Sequence, residues 1–132
     1  MTDVFYDSWA WIETYADTAT GRRLDAKYGS GKAHVHTSIW ALAEIGAQTH
    51  LKAGDAAAQD VVNRVEKDAA EVHPILPADV RSAVGLRTAL RIASRRKVSL
   101  GDAIMLSQAR RLSMPFISGD KGFKGQPDVR AD

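Results

Sequence analysis

The chain contains no cysteine among its 132 residues. This absence excludes a disulfide-stapled extracellular scaffold and any metal site built from thiolates. No apolar run approaches the roughly 20 residues that a helix needs to cross a bilayer. The N-terminus lacks the basic segment of a secretory signal peptide, because its first charged residue is Asp3. We therefore expect a soluble, cytoplasmic protein with no membrane partner.

The remaining composition is that of an ordinary globular chain, with 45% hydrophobic and 26% charged residues. A length of 132 residues predicts a single domain over 1–132 that is large enough to bury its own core. The formal net charge is only +2, which is weak evidence for an anionic partner. The positions of the charges are more informative, because several acids are isolated inside apolar stretches.

Short strand patterns alternate with helical patterns along the chain. This alternation predicts an α/β fold in which helices cover a mostly parallel sheet. The basic, glycine-rich segment 21–33 is expected to hold no more than one helical turn, and the polar tail after 118 no more than one strand. The main strand candidates are 3–6, 34–37 and 114–118, and helices are predicted over 8–17, 38–52, 56–70, 78–94 and from 99 onward.

Four acids fall near the ends of these predicted strands. Asp7 and Asp120 directly follow the first strand and the 114–118 strand, and Asp102 lies in the first turn of the helix that begins at Ser99. Glu44 lies on the helix after the 34–37 strand. Ligands of open α/β sheets bind outside the carboxyl ends of the strands. We therefore expect the four carboxylates to face one edge of the sheet.

Each acid also has a structural explanation when it is considered alone. Asp7 is suited to capping the following helix, Asp102 completes a capping box with Ser99, and Asp120 is a typical turn residue. Glu44 is harder to explain, because it stands in an apolar run, "SIWALAEIGA", with no basic residue three or four positions away. A lone charge in apolar surroundings needs compensation. Either a distant arginine or a shared cation would supply it.

Taken together, the four carboxylates favour a divalent cation. Clustered carboxylates repel one another, and a bound cation offsets that repulsion. Mg²⁺ and Mn²⁺ prefer oxygen ligands, and Mg²⁺ often shares its site with phosphates of a substrate. A cation held in this way activates water for attack on a phosphodiester.

Three segments of the chain resemble the successive signature segments of PIN domains, and among these the small VapC-type toxins. They are "DVFYDSWAWIE", "HTSIWALAEI" and "VSLGDAIMLSQARRLSMPFISGDKGF". Their order and spacing are kept over most of the chain. The resemblance implies a three-layer α/β/α fold with a short, mostly parallel five-stranded sheet. It also implies a Mg²⁺- or Mn²⁺-dependent ribonuclease.

The resemblance places the acidic quartet of the family on Asp7, Glu44, Asp102 and Asp120. In that assignment the three aspartates hold the metal, and Glu44 completes the site by orienting the attacking water. Ser8 and Ser118 match hydroxyl residues that support the quartet in the family. Relatives of the VapC type are usually homodimers that a small VapB antitoxin keeps inactive, so RNA, an antitoxin and a second copy are the implied partners.

Two further groups of residues are open to more than one interpretation. Arg87, Arg91 and Arg95 recur every four residues and form one stripe on a helix. This stripe either grips RNA phosphates or is a solvated face. The four histidines show no ligand spacing and are expected to be ordinary half-buried residues: His34, His36, His50 and His73.

Two other functions remain as alternatives. A phosphatase of the haloacid-dehalogenase type also uses an aspartate after its first strand, but it requires Asp-x-Asp, and here Trp9 occupies the second position. A non-catalytic module, either receiver-like or a degenerate PIN-like domain, is the third possibility. A receiver carries its phosphoacceptor on the middle strand, and degeneracy is disfavoured because none of the four acids is missing.

Overall fold

The computed structural model describes all 132 residues. Five strands and six α-helices alternate along the chain, with one short 3₁₀ turn near the C-terminus. The strands are β1 (Thr2–Tyr6), β2 (Ala33–Ser38), β3 (Glu71–His73), β4 (Phe116–Ile117) and β5 (Val129–Arg130). The helices are α1 (Ser8–Tyr15), α2 (Ala19–Tyr28), α3 (Ile39–Ala53), α4 (Asp55–Asp68), α5 (Pro77–Ser94) and α6 (Leu100–Arg111), and the 3₁₀ turn spans Lys121–Phe123.

The strands form one sheet in the order β3-β2-β1-β4-β5, and every neighbouring pair is parallel. Side chains of β1 alternate between the two faces of this sheet. Val4 and Tyr6 belong to a core that includes residues of α1, α2, α3 and α4, whereas Phe5 belongs to a second core with residues of α5 and α6. The predicted three-layer α/β/α architecture is confirmed.

Helices α1 and α3 directly follow strands β1 and β2, and each is capped by a residue at the end of its strand. Asp7, directly after β1, caps α1 by accepting a hydrogen bond from the backbone N–H of Ala10. Ser38, the last residue of β2, caps α3 through the N–H of Trp40. These short connections fix the geometry of the side chains at this edge.

The expectation of at most one helical turn in 21–33 is wrong. Helix α2 runs over Ala19–Tyr28, and the hydroxyl of Thr18 caps it by accepting from the N–H of Gly21. Gly21 does not break the helix. A Cβ at this position would lie 2.0 Å from the carbonyl oxygen of Glu13, so glycine permits α2 to approach the end of α1.

The tail after β4 confirms the expectation of a single short strand, since β5 pairs with β4 over two residues. No helix of the chain combines the length and the apolarity that a bilayer crossing requires.

Candidate active site

The four predicted acids line one open pocket of about 370 Å³ at the carboxyl edge of the sheet. They come from four separate parts of the chain, and the fold brings all of them together. No lysine, arginine or histidine lines the pocket. Its lining consists of the acids Asp7, Glu44, Asp102 and Asp120 together with Ser8, Trp9, Ile12, Gln48 and Gly119.

Asp7 is the only buried acid of the four, with 4% of its surface exposed. It follows the central strand β1, and its Oδ1 accepts the N–H of Ala10 at 3.0 Å. Burial raises the pKa of Asp7 to about 7, although hydrogen bonds from Ser118 and from the Ala10 backbone oppose the increase. The charges of Asp102 and Glu44 raise this pKa further. Burial and the neighbouring carboxylates therefore favour the neutral form of Asp7 below about pH 7.

Glu44 is half-buried on α3, and its environment is less apolar than the sequence suggested. Leu42 and Ile45 are buried, but Trp40 is 39% exposed, so one side of this helix faces solvent. The hydroxyl of Ser8 donates to Oε1 of Glu44 at 2.6 Å. Glu44 forms no ion pair with a basic side chain. Its protein partner is therefore a hydroxyl from the opposite side of the pocket.

Asp102 lies in the first turn of α6, where the Ser99 hydroxyl accepts its backbone N–H at 3.0 Å and caps the helix. Partial burial raises the pKa of Asp102 to about 6, and the charges of Asp120 and Glu44 contribute to the increase. A hydrogen bond with Ser99 lowers the pKa of Asp102 and so opposes this increase. The helix cap that the sequence predicted at Ser99 is confirmed. Asp102 takes part in this cap through its backbone N–H and also lines the pocket.

Asp120 is exposed and begins the 3₁₀ turn, where its Oδ1 accepts the N–H of Gly122 at 2.8 Å. The buried hydroxyl of Ser118 accepts the backbone N–H of Asp120 at 3.2 Å. Ser118 thus holds the turn that presents Asp120, and its hydroxyl lowers the pKa of Asp7. This serine therefore affects two of the acids.

Two tryptophan–glycine contacts flank the acids, and sequence reasoning missed both. A Cβ at Gly101 would lie 2.1 Å from Nε1 of Trp40, and a Cβ at Gly119 would lie 2.4 Å from the ring of Trp9. Each indole therefore rests on a glycine adjacent to a site aspartate. Nothing in the local sequence pairs these positions, because each contact joins segments that are far apart in the chain.

The arginine stripe does not line the pocket. Arg87 and Arg91 each donate through Nε to the carbonyl of Val98, at 3.2 and 3.1 Å. Val98 directly precedes Ser99, the cap of α6, so both arginines lie alongside the segment that leads into the site. Arg95 ends α5 in a left-handed conformation with φ of 57°.

The PIN domain family model matches residues 4–128. The chain belongs to the PIN domain family. A comparison with curated protein sequences finds no match.

Solved structures show the same fold as this PIN domain. VapBC2 from Rickettsia felis, bound to a DNA fragment from its promoter, aligns with a TM-score of 0.73 at 13% identity, over 97% of this chain and 96% of that one. VapC20 from Mycobacterium tuberculosis is described as a toxin that cleaves the Sarcin-Ricin loop. It aligns with a TM-score of 0.69 at 22% identity, over 96% of this chain and 98% of that one. VapBC-1 from nontypeable Haemophilus influenzae aligns with a TM-score of 0.71 at 11% identity, over 98% of this chain and 96% of that one.

Proposed function

We propose that residues 1–132 form a single PIN domain that acts as a VapC-type, metal-dependent ribonuclease and hydrolyses RNA phosphodiesters. The observation that carries this proposal is the convergence of four carboxylates on one pocket that no basic side chain lines. Such a cluster is costly unless a cation shares it.

The residues present fit a hard divalent cation. Asp7, Asp102 and Asp120 would hold Mg²⁺ or Mn²⁺, directly or through water, because all their donors are carboxylate oxygens. Neither Asp7 nor Asp102 forms an ion pair within the protein. Burial is the largest cause of the raised pKa of each carboxyl group. The ion, when bound, supplies neutralising charge for a phosphate and lowers the pKa of water.

The protein's own residues would then position the reactants. Glu44 orients the attacking water, and the short hydrogen bond from Ser8 holds its carboxylate in place. Ser118 supports Asp7 and the Asp120 turn. Arg87, Arg91 and Arg95 provide the nearby positive charge that a polyanionic substrate needs next to an acidic pocket.

The competing phosphatase function has less support. A haloacid-dehalogenase phosphatase requires Asp-x-Asp after its first strand, whereas Ser8 and Trp9 follow Asp7 here. RNA as the substrate is consistent with the structural similarity to a protein described as a Sarcin-Ricin loop cleaving toxin.

A VapB-like antitoxin is the proposed regulatory partner. Several structures with this fold are toxin–antitoxin complexes. A basic side chain from such a partner would complement the acidic pocket directly, and it would compete with the cation for the same carboxylates.

A homodimer is the proposed assembly. Helix α5 and its N-terminal flank present apolar side chains to solvent at intervals of four or eight residues, which places them on one side of the helix. These four residues are between 39% and 73% exposed: Leu76, Val80, Val84 and Ile92. Exposed apolar side chains grouped on one side of a helix are typical of an interface.

The test is an RNA cleavage assay with purified wild-type protein and two variants. We expect cleavage in Mg²⁺ or Mn²⁺, none in excess EDTA, and a loss of at least about 100-fold for Asp7→Asn, since the substitution removes a charged ligand from the site. Asp60→Asn is the matched control, because Asp60 is exposed on α4 and lies outside the pocket. Full metal-dependent cleavage by Asp7→Asn contradicts the assignment.

A further inference from the structure

A second polar cluster lies on the sheet itself, where β1, β2 and β3 run side by side. In the strand register, Asp3 pairs with His34, and His36 pairs with Glu71. His73 ends β3. None of these five residues lines the acidic pocket. The sequence predicted ordinary half-buried histidines without ligand spacing; His36 is half-buried, and it contacts His73 of the neighbouring strand.

Three of these side chains, His36, Glu71 and His73, place potential metal-ligand atoms close together. Nδ1 of His36 is 2.9 Å from Nε2 of His73, which is 3.6 Å from Oε2 of Glu71. All three atoms lie within 4.8 Å of one another. A tetrahedral zinc ion with bonds of about 2.0–2.1 Å separates its ligand atoms by about 3.3 Å. The observed distances lie on either side of that value.

Asp3 orients the first of these ligands. Its Oδ1 is 3.0 Å from Nε2 of His36 and 3.2 Å from Nδ1 of His34. With Nε2–H of His36 donating to the carboxylate, Nδ1 keeps its lone pair on the side that faces His73. A carboxylate behind a histidine is the usual support of a metal-bound imidazole, since it fixes the tautomer and the ring orientation.

The two histidines of the cluster are largely buried, whereas Glu71 is exposed to solvent. The side chains of His36 and His73 are 12% and 10% exposed, and the ring of Phe5 lies behind His73 at 6.1 Å between centroids. The side chain of Glu71 is 61% exposed, so the cluster opens to solvent on its side.

We propose that His36, His73 and Glu71 bind a divalent transition-metal ion, with zinc as the best match and water as the fourth ligand. Two imidazoles and one carboxylate suit zinc, whereas Mg²⁺ prefers oxygen ligands alone. The ion would join β3, an edge strand of three residues, to its neighbour β2. This site is separate from the acidic pocket and does not depend on the ribonuclease proposal.

The test is a Zn²⁺ titration of the full chain, without a histidine tag, against a chromophoric chelator in the absence of RNA. We expect one zinc per chain in the wild type and loss of that binding in His36→Gln and in His73→Gln. Asp3→Asn should weaken binding about tenfold, because it removes only the orienting carboxylate. His50→Gln is the matched control, since His50 lies at the end of α3 outside the cluster.

Two additional measurements keep the test decisive. Glu71→Gln alters an exposed ligand, so it should lower the affinity for zinc while leaving the circular dichroism spectrum unchanged, even if a histidine variant fails to fold. Bound Co²⁺ should show the visible absorption of a four-coordinate site with imidazole ligands in the wild type. The proposal is overturned if zinc does not bind, if binding survives both histidine substitutions, or if only Asp102→Asn abolishes it.

Discussion

Folding favours the neutral form of Asp7, whereas the proposed chemistry requires its ionised form. Its position after the central strand buries it, and burial favours the neutral carboxyl group. A metal ligand must be ionised. Metal binding and proton release are therefore coupled at this residue, and a loss of stability in the metal-free protein is the expected consequence.

The sign of this effect on stability follows from the pKa of Asp7, which is raised from 3.8 to about 7. Between these values the folded protein binds more protons than the unfolded chain, so the contribution of Asp7 to stability falls as pH rises from about 4 to 7. The shift corresponds to an upper limit of roughly 4 kcal/mol. Asp7→Asn removes this decrease in stability with rising pH. It also retains the helix cap, because asparagine caps helices as well as aspartate does.

We therefore expect Asp7→Asn to match the wild type near pH 4 and to be more stable near pH 8, as measured by urea unfolding in EDTA. Added Mg²⁺ should reduce the difference at pH 8 by stabilising the wild type. Asp60→Asn should have the same stability as the wild type at both pH values. If Asp7→Asn shows the same pH dependence as the wild type, Asp7 does not carry the raised pKa.

The residues that could be predicted from the sequence are those whose local setting is already unusual. Asp7 follows a strand, and Glu44 has no basic neighbour along its helix, so both were identified without coordinates. The pairing of His36 with His73 was not predictable, because the two residues are 37 positions apart and meet only when β2 pairs with β3. Long-range contacts of this kind depend on strand order, which no local pattern encodes.

At the scale of elements, the contact between α3 and α6 controls how Asp102 is presented. Trp40, in the first turn of α3, packs against Gly101, and Asp102 is the next residue of α6. The absence of a side chain at Gly101 is what permits this close approach. The position of an acid in the pocket therefore depends on a contact with an indole ring.

We expect Gly101→Ala to destabilise the protein by about 1–3 kcal/mol, because the added methyl group overlaps the Trp40 ring. Cleavage should fall as Asp102 moves with α6. Gly85→Ala on α5 is the matched control, since a Cβ there meets nothing within 4 Å, and it should be neutral or stabilising by about 0.4–1 kcal/mol. Unfolding curves and cleavage rates of both variants check the prediction. Equal behaviour of the two variants would show that the Trp40 contact is unimportant.

Most helices and strands could be predicted because their caps and periodicity are local. Ser38 and Ser99 mark the starts of α3 and α6 in the sequence and cap them in the structure. Helix α2 was not predicted because segment 21–33 is rich in glycine, whereas Gly21 permits the close contact with Glu13. A glycine that serves tertiary packing cannot be distinguished by composition from one that ends a helix.

At the scale of the whole molecule, the apolar stripe on α5 bears on the proposed homodimer. Val84 is 62% exposed in the middle of that stripe. We expect Val84→Glu to convert a dimer into a monomer, because a charge in an apolar interface is costly to desolvate. Light scattering coupled to size exclusion measures the result. Ala89→Glu is the matched control, because Ala89 is exposed on α5 and lies about 140° around the helix from Val84. A wild type that is already monomeric contradicts the dimer.

The central claim is that one divalent cation unites four carboxylates from distant parts of the chain. The most direct measurement is anomalous diffraction from crystals soaked in Mn²⁺, because it locates the ion without assuming any activity. We predict a Mn²⁺ peak within coordination distance of the carboxylates of Asp7, Asp102 and Asp120, with Glu44 at the same pocket. A pocket without a Mn²⁺ peak at saturating concentration, or a peak confined to His36 and His73, would contradict the account.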